Sequence, residues 1–259
     1  MHMPLISHEV PKDLLKQSRS FNDYDYAFAH LYNDPDFFLF YKESVEMGRK
    51  VLLDNSAFEL GAGIFDTFGD IIADLKPTWY VVPDVRHDGA ATVESYERFI
   101  NAFPDLPGIA ICAIQGDTFE ALAECYKFMI EKTQKIAIPF DSKGYDQSLK
   151  PWERRPAFLE RLSKMPYWKD NPMHLFGTYA AKEFLSPVYL SVKFETVDTS
   201  NPVTAAAEGW RYEEDGLEKK SDIKLMMGNI PEIDPEILSH NIKVFRSIVN
   251  RGCAVTEEK

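Results

Sequence analysis

Lys50-Val51-Leu52-Leu53-Asp54-Asn55-Ser56-Ala57-Phe58-Glu59 sets a short apolar run directly before an acid, an amide, a hydroxyl and an aromatic. A brief apolar run bounded by polar turn residues reads as a buried strand of a parallel sheet, and in such folds the chemistry gathers where strands end. Four later segments repeat the design: Trp79-Tyr80-Val81-Val82-Pro83-Asp84, Ile109 to Gly116, Lys135 to Phe140, and Val192 to Asp198. Asp54, Asp84, Gln115 and Asp198 are therefore expected together at one end of the sheet.

Outward from that stretch, strand and helix patterns alternate about eight times without a break in composition. Strands are expected near Pro4–Val10, Asp25–Tyr32, Lys50–Asp54, Thr78–Val82, Ile109–Gln115, Ile136–Phe140, Met173–Gly177 and Val192–Val197. Between them, Phe37–Gly48, Ala90–Ala102, Thr118–Thr133 and Trp152–Met165 carry helical spacing, and Asp234–Asn250 closes the chain with an apolar stripe. Ser200–Lys220 reads as irregular. A chain of 259 residues organised this way predicts a single (β/α)8 TIM-type barrel spanning residues 1–259.

Composition narrows the function. Hydrophobic residues make up 45% and charged residues 27%, as in ordinary globular domains. No apolar run approaches the roughly 20 residues that span a bilayer, and Met1-His2-Met3-Pro4 has no secretory-signal order, so a cytoplasmic location without membrane contact is expected. Cys112, Cys125 and Cys253 form no metal pair or disulfide set. A net charge of −12 argues against broad nucleic-acid binding, although Lys150, Arg154 and Arg155, and Lys219 with Lys220, form local basic clusters.

Asp54 and Asp198 are the candidate catalytic pair, since two carboxylates at a barrel mouth can divide labour between nucleophile and acid/base. Taken singly, each reads equally well as a turn or cap residue. Phe58 could stack on a planar group, and Gln115-Gly116 offers an amide donor and acceptor. Asp84, His87 and Asp88 could form a metal cluster. A site of that type would want further strand-end histidines, for which only His30 and His174 stand. No metal and no cofactor are therefore expected, and no Gly-rich phosphate loop or Gly-x-Ser-x-Gly elbow is present.

The segments resemble those of the tRNA-guanine transglycosylases and of their relatives that place 7-deazaguanine bases in DNA. Asp54-Asn55-Ser56-Ala57-Phe58 is similar to the family's Asp-Ser-Gly-Gly-Tyr/Phe, Val82-Pro83-Asp84 to its second base-contacting aspartate, and Ala113-Ile114-Gln115-Gly116 to its Val-Gln-Gly. Ile136 to Phe140 resembles the strand that walls the base pocket. His174-Leu175-Phe176-Gly177-Thr178-Tyr179 is similar to Leu-Met-Gly-Val-Gly, and Phe194 to Ser200 to the segment ending in the nucleophilic aspartate. The resemblance runs from about Val51 to Val203.

It implies that Asp198 attacks C1′ of a nucleoside, that Asp54 is general acid/base, and that Phe58 stacks on the base. Asp84 and Gln115 would hydrogen-bond its edge, with Gly116, Pro139, Phe140, Gly177 and Tyr179 around it. The partners implied are DNA or tRNA and a free guanine-like base, with a homodimer or a partner subunit left open. Three features depart from the family. Its Cys-x-Cys-x-x-Cys plus His zinc site has no counterpart after Asp198, Pro139-Phe140 replaces its paired glycines, and its strongly positive extension is missing. These differences favour a compact, zinc-free member acting on DNA before tRNA. An N-glycosidase or nucleoside hydrolase on the same scaffold, a non-catalytic partner subunit and a metal-dependent hydrolase centred on Asp84 are the alternatives.

Overall fold

A computed structural model describes residues 3–61, 63–223, 225 and 232–253. Among these, eight parallel strands form one sheet in the order β1-β8-β7-β6-β5-β4-β3-β2. They are β1 (Leu5–His8), β2 (Asp25–Phe28), β3 (Val51–Asp54), β4 (Trp79–Val81), β5 (Ile109–Ala113), β6 (Lys135–Ile138), β7 (Met173–Leu175) and β8 (Thr196–Thr199). The chain is a (β/α)8 barrel, as its alternating pattern predicts.

The seam between β1 and β2 lacks a regular ladder, and side chains close it. Asp23 N donates to Ile6 O at 2.9 Å, while the Asp23 carboxylate accepts from Ile6 N at 2.9 Å. The Asn22 amide accepts from His8 N at 2.7 Å and donates to His8 O at 3.0 Å, doing the work of a paired strand residue. Leaving those backbone groups buried and unpaired would cost about 1–3 kcal/mol each.

Period-two alternation divides every strand between two layers. Val51 and Leu53 face the surrounding helices, whereas Leu52 joins Tyr24, Tyr26, Phe28, Trp79, Val81, Ile111, Ala113 and Ala137 inside the barrel. Burying a side chain such as Leu52 is worth about 1.5–3 kcal/mol. Lys135 is also turned inward. It is 2% exposed, pairs with Glu195 at 2.8 Å and lies 4.3 Å above the Trp79 ring. Following the same alternation upward, Glu9, Asp54, Gln115, Pro139 and Asp198 reach the C-terminal mouth.

Several element boundaries differ from expectation. The second strand stops at Phe28, where Ala29–Leu31 turns into a 3-10 helix, and Ala181–Leu185 is likewise 3-10. The last strand is Thr196–Thr199 instead of Val192–Val197, so Asp198 lies within it. Asn201–Ala207, expected to be irregular, is a fully buried helix begun by Pro202. Its small residues Ala205, Ala206 and Ala207 give little periodic signal but allow close packing.

Candidate active site

Asp54 is the last residue of β3, and the turn after it is shaped to hold that side chain. Ser56 takes a left-handed conformation (φ 62°), which is uncommon outside glycine and costs on the order of 1 kcal/mol or more. That turn aims the Ser56 amide back at Asp54 Oδ2, 2.8 Å away, and its hydroxyl at the His30 amide and ring nitrogen. His87 has the same strained sign of φ (63°) in the loop after β4.

The amides of the mouth form one network around Asp84. Asn55 Nδ2 donates to Asp84 Oδ1 at 2.7 Å and also to Val82 O, while Gln115 Nε2 donates to Asp84 Oδ2 at 2.7 Å. Gln115 Oε1 in turn accepts from the His87 amide at 3.0 Å. Both Asn55 Nδ2 protons are thus committed, and Asn55 is scaffold. Gln115 keeps one N–H, and each Asp84 oxygen keeps a lone pair, for a ligand.

Asp198 enters from β8. Its Oδ2 accepts from the Gly177 amide at 3.1 Å, and its Oδ1 lies 3.0 Å from His174 Nε2, off the line of an N–H bond. The other ring nitrogen of His174 is 2.9 Å from Thr196 Oγ1, and burial pushes its pKa below the usual imidazole range, keeping the ring neutral. Gly177 has a left-handed φ of 52°, and a Cβ there would meet the Phe140 ring at 2.9 Å. Glycine is therefore required for both the turn and the ring.

Arg155 fixes this corner from behind. Its guanidinium is 1% exposed and donates to Glu183 at 2.6 Å, to Ile138 O, to Phe176 O at 2.7 Å and to Gly177 O at 2.9 Å. It is thus turned into the protein, and the basic cluster read from the sequence loses one of its members.

These groups surround a cavity of about 160 Å³, smaller than the roughly 300–1,000 Å³ of drug-sized sites. Asp54, Asp84, Asp198, Phe58, Gln115, Pro139, Phe140 and Gly177 all line it. Gly116 and Tyr179 lie outside its wall. A Cβ on Gly116 would strike Leu122 N at 2.6 Å, so that glycine serves helix packing, and the Tyr179 ring lies 6.4 Å from that of Trp152, tilted by 40°. Phe58 is 56% exposed, with its ring 6.0 Å from that of Phe140. Arg86 lies 4.7 Å over Phe58 and Lys220 lies 4.3 Å over Phe140.

Glu9, Glu59, Arg86 and Lys220 also line the cavity; of these, the sequence pattern singles out Lys220 alone, as half of the Lys219–Lys220 basic cluster. Glu9 was detectable, because Leu5, Ser7 and Glu9 continue the inward period of β1 by one step. Glu59 arrives on the four-residue helix Ala57–Leu60, and Arg86 and Lys220 on loops, where no strand period applies.

Acids outnumber cations here, and their protons are correspondingly held. Burial first, and then the charges of Glu59, Asp84 and Asp198, push Asp54 well above the carboxylate range. Glu9 is raised well above it by burial and by Asp198, and Glu59 is raised by burial. Asp84 is raised by burial against the opposing pull of its two amide donors.

Among the described residues no three His, Cys, Asp or Glu side chains converge on a metal-binding point. Asp84, His87 and Asp88 do not converge on one point, and Asp88 instead caps the helix Gly89–Ala102 by accepting from Ala91 N at 2.9 Å. No described helix is long and apolar enough to cross a membrane.

No family model matches the chain, and no curated protein matches it. Its fold is similar to tryptophan synthase from M. tuberculosis (TM-score 0.55, 11% identity, covering 96% of this chain and 93% of that one). It is similar also to KGPDC from Streptococcus mutans (0.51, 10%, 96% and 99%). The carboxyl transferase domain of Rhizobium etli pyruvate carboxylase matches too (0.52, 12%, 100% and 49%). At these identities the likeness establishes the barrel alone.

Proposed function

We propose that this chain is a base-exchange transglycosylase, replacing guanine by a 7-deazaguanine-type base in a polynucleotide, DNA ahead of tRNA. The observation that carries the reading is the convergence of Asp54 and Asp198 on one small cavity, from strands on opposite sides of the barrel seam, with Asp54 held as the acid.

In this mechanism Asp198 attacks C1′ and the C1′–N bond breaks with its electron pair leaving on the base. Asp54 supplies the proton that the departing base needs. The incoming base returns a proton to Asp54 as it attacks C1′, and the Asp198 ester bond breaks. Phe58 offers a stacking face, while Asp84 and the free N–H of Gln115 offer an acceptor and a donor to the edge of a guanine-like base. Phe140, seated by Gly177, walls the pocket beside it. Arg86 and Lys220 stand at the mouth as the cations available to a phosphate.

The test is incubation with DNA and separately with tRNA in the presence of guanine and 7-deazaguanine bases, followed by mass analysis of the nucleosides. Incorporation into one polymer, lost in Asp198→Asn, supports exchange and chooses the substrate. Release of free base without incorporation would replace exchange by hydrolysis, and no reaction with either polymer would favour a non-catalytic partner subunit.

A further inference from the structure

We propose that Glu9 is a positioning residue of this site, donating a hydrogen bond in its acid form to Asp198 and holding that carboxylate in place opposite the Gly177 amide. The pairing rests on geometry; its role in turnover rests on the function proposed above.

Three observations carry it. Strands β1 and β8 run in register with Ser7 beside Asp198, and Glu9 N continues the ladder by donating to Thr199 O at 3.0 Å. Glu9 is therefore fixed on the rung above Asp198, and both side chains face the cavity. Second, the two oxygens of Asp198 are unequally served. Oδ2 has the Gly177 amide, while Oδ1 is buried with no well-aligned donor among the described residues. A buried carboxylate oxygen in that state calls for a donor, and a protonated Glu9, one rung up and lining the same cavity, is the group placed to supply it.

Third, the surroundings keep Glu9 protonated. Asp198 faces it from β8, Asp54 and Glu59 face it from the end of β3 and the short helix beyond, Tyr24 stands just before β2, Tyr26 on β2 and Tyr41 on the helix Pro35–Glu46. Lys220, from the loop above, is the cation that senses Glu9. Burial and the Asp198 charge outweigh that lysine and hold Glu9 well above the carboxylate range, which keeps on Glu9 the proton that the hydrogen bond to Asp198 needs. As pH rises far enough to ionise Glu9, the donor becomes a second negative charge and Asp198 is pushed from its seat.

The test uses the full chain and two readouts. In the exchange assay, Glu9→Ala should lose about 10²-fold in kcat with KM for the free base unchanged. Glu9→Gln, whose amide donates at every pH, should recover most of that loss. A Glu9→Ala variant as fast as wild type, or a Glu9→Gln variant no faster than Glu9→Ala, would overturn the role. The second readout needs no substrate. Carboxyl-carbon NMR of glutamate-labelled protein, with the Glu9 signal assigned by its loss in Glu9→Gln, should show Glu9 titrating above the ordinary glutamate range and moving down in Asp198→Asn. A Glu9 signal in the ordinary range, or one indifferent to Asp198→Asn, would overturn the pairing. A shifted, Asp198-dependent signal in a protein that exchanges no base would retain the pairing and overturn the proposed function instead.

Discussion

Replacing Arg155 by methionine removes the group that ties three backbone carbonyls and a carboxylate together beneath the candidate site. The guanidinium and Glu183 are 1% and 2% exposed and 2.6 Å apart, so the substitution strands a buried carboxylate whose remaining partner is the Tyr189 hydroxyl. Removing one member of such a pair costs about 3–5 kcal/mol. The carbonyls of Ile138, Phe176 and Gly177 lose their charged donor at the same time. Against a typical total stability of about 5–15 kcal/mol, the variant should unfold at visibly lower urea concentration. Tryptophan fluorescence and circular dichroism across a urea titration measure the change. Arg155→Met with Glu183→Met should cost less than Arg155→Met alone, because no buried charge is left behind. A single-variant loss under about 1 kcal/mol, with the urea dependence unchanged, would refute the claim that this ion pair holds the β6–β7 corner.

Other substitutions test separate parts of the argument. Phe58→Ala should shift stability by less than about 0.5 kcal/mol, since the ring is 56% exposed, while weakening free-base binding by roughly 1–3 kcal/mol if stacking is its role; calorimetry with guanine and 7-deazaguanine measures the binding. Gly177→Ala should lower the urea midpoint and the exchange rate together, because both its φ of 52° and the 2.9 Å approach to Phe140 oppose a methyl group. His8 is 1% exposed, and burial lowers its pKa to about 3, so the fold excludes a proton that the unfolded chain accepts near 6.5. The stability that neutral His8 confers is full above pH 6.5 and is lost as pH falls toward 3, by up to about 4–5 kcal/mol. His8→Phe should flatten that part of a stability-against-pH curve.

The barrel was legible because its strands obey two simple periods. A run such as Val51-Leu52-Leu53-Asp54 announces a strand buried on both faces, and the same pattern recurs at intervals that only a βα repeat fills. The residues at strand ends were legible for the same reason: Asp54, Gln115 and Pro139 each follow an inward-facing apolar position by two, and Asp198 follows the inward-facing Thr196 by the same step. Where the period stopped, so did the reading. The helix Asn201–Ala207 is buried all round and shows no stripe, and Tyr179, one residue beyond the cavity-lining Thr178, turns away toward Trp152. Arg155 looked like one of several surface cations because sequence neighbours share a charge without sharing a face. Its i and i+1 relation to Arg154 places the two about a quarter-turn apart on the helix Pro151–Leu162.

If the proposed function holds, the balance of charge at the mouth decides which part of a polynucleotide would enter. Glu9, Asp54, Glu59, Asp84 and Asp198 face the cavity, while Arg86 and Lys220 are its cations, each lying over an aromatic ring. A phosphate brought to the depth of Asp198 would meet carboxyl groups on several sides, at the low effective dielectric of a buried site. A base edge rich in N–H donors meets acceptors there instead: the Asp84 oxygens, each with a lone pair to spare, and whichever carboxyl groups are ionised. Under the proposed function the arrangement would sort one nucleotide end to end, base inward and phosphate outward at the level of Arg86 and Lys220. The target nucleotide would then have to be unstacked from its neighbours, and a chain with a net charge of −12 would meet an anionic polymer through local placement of its few rim cations.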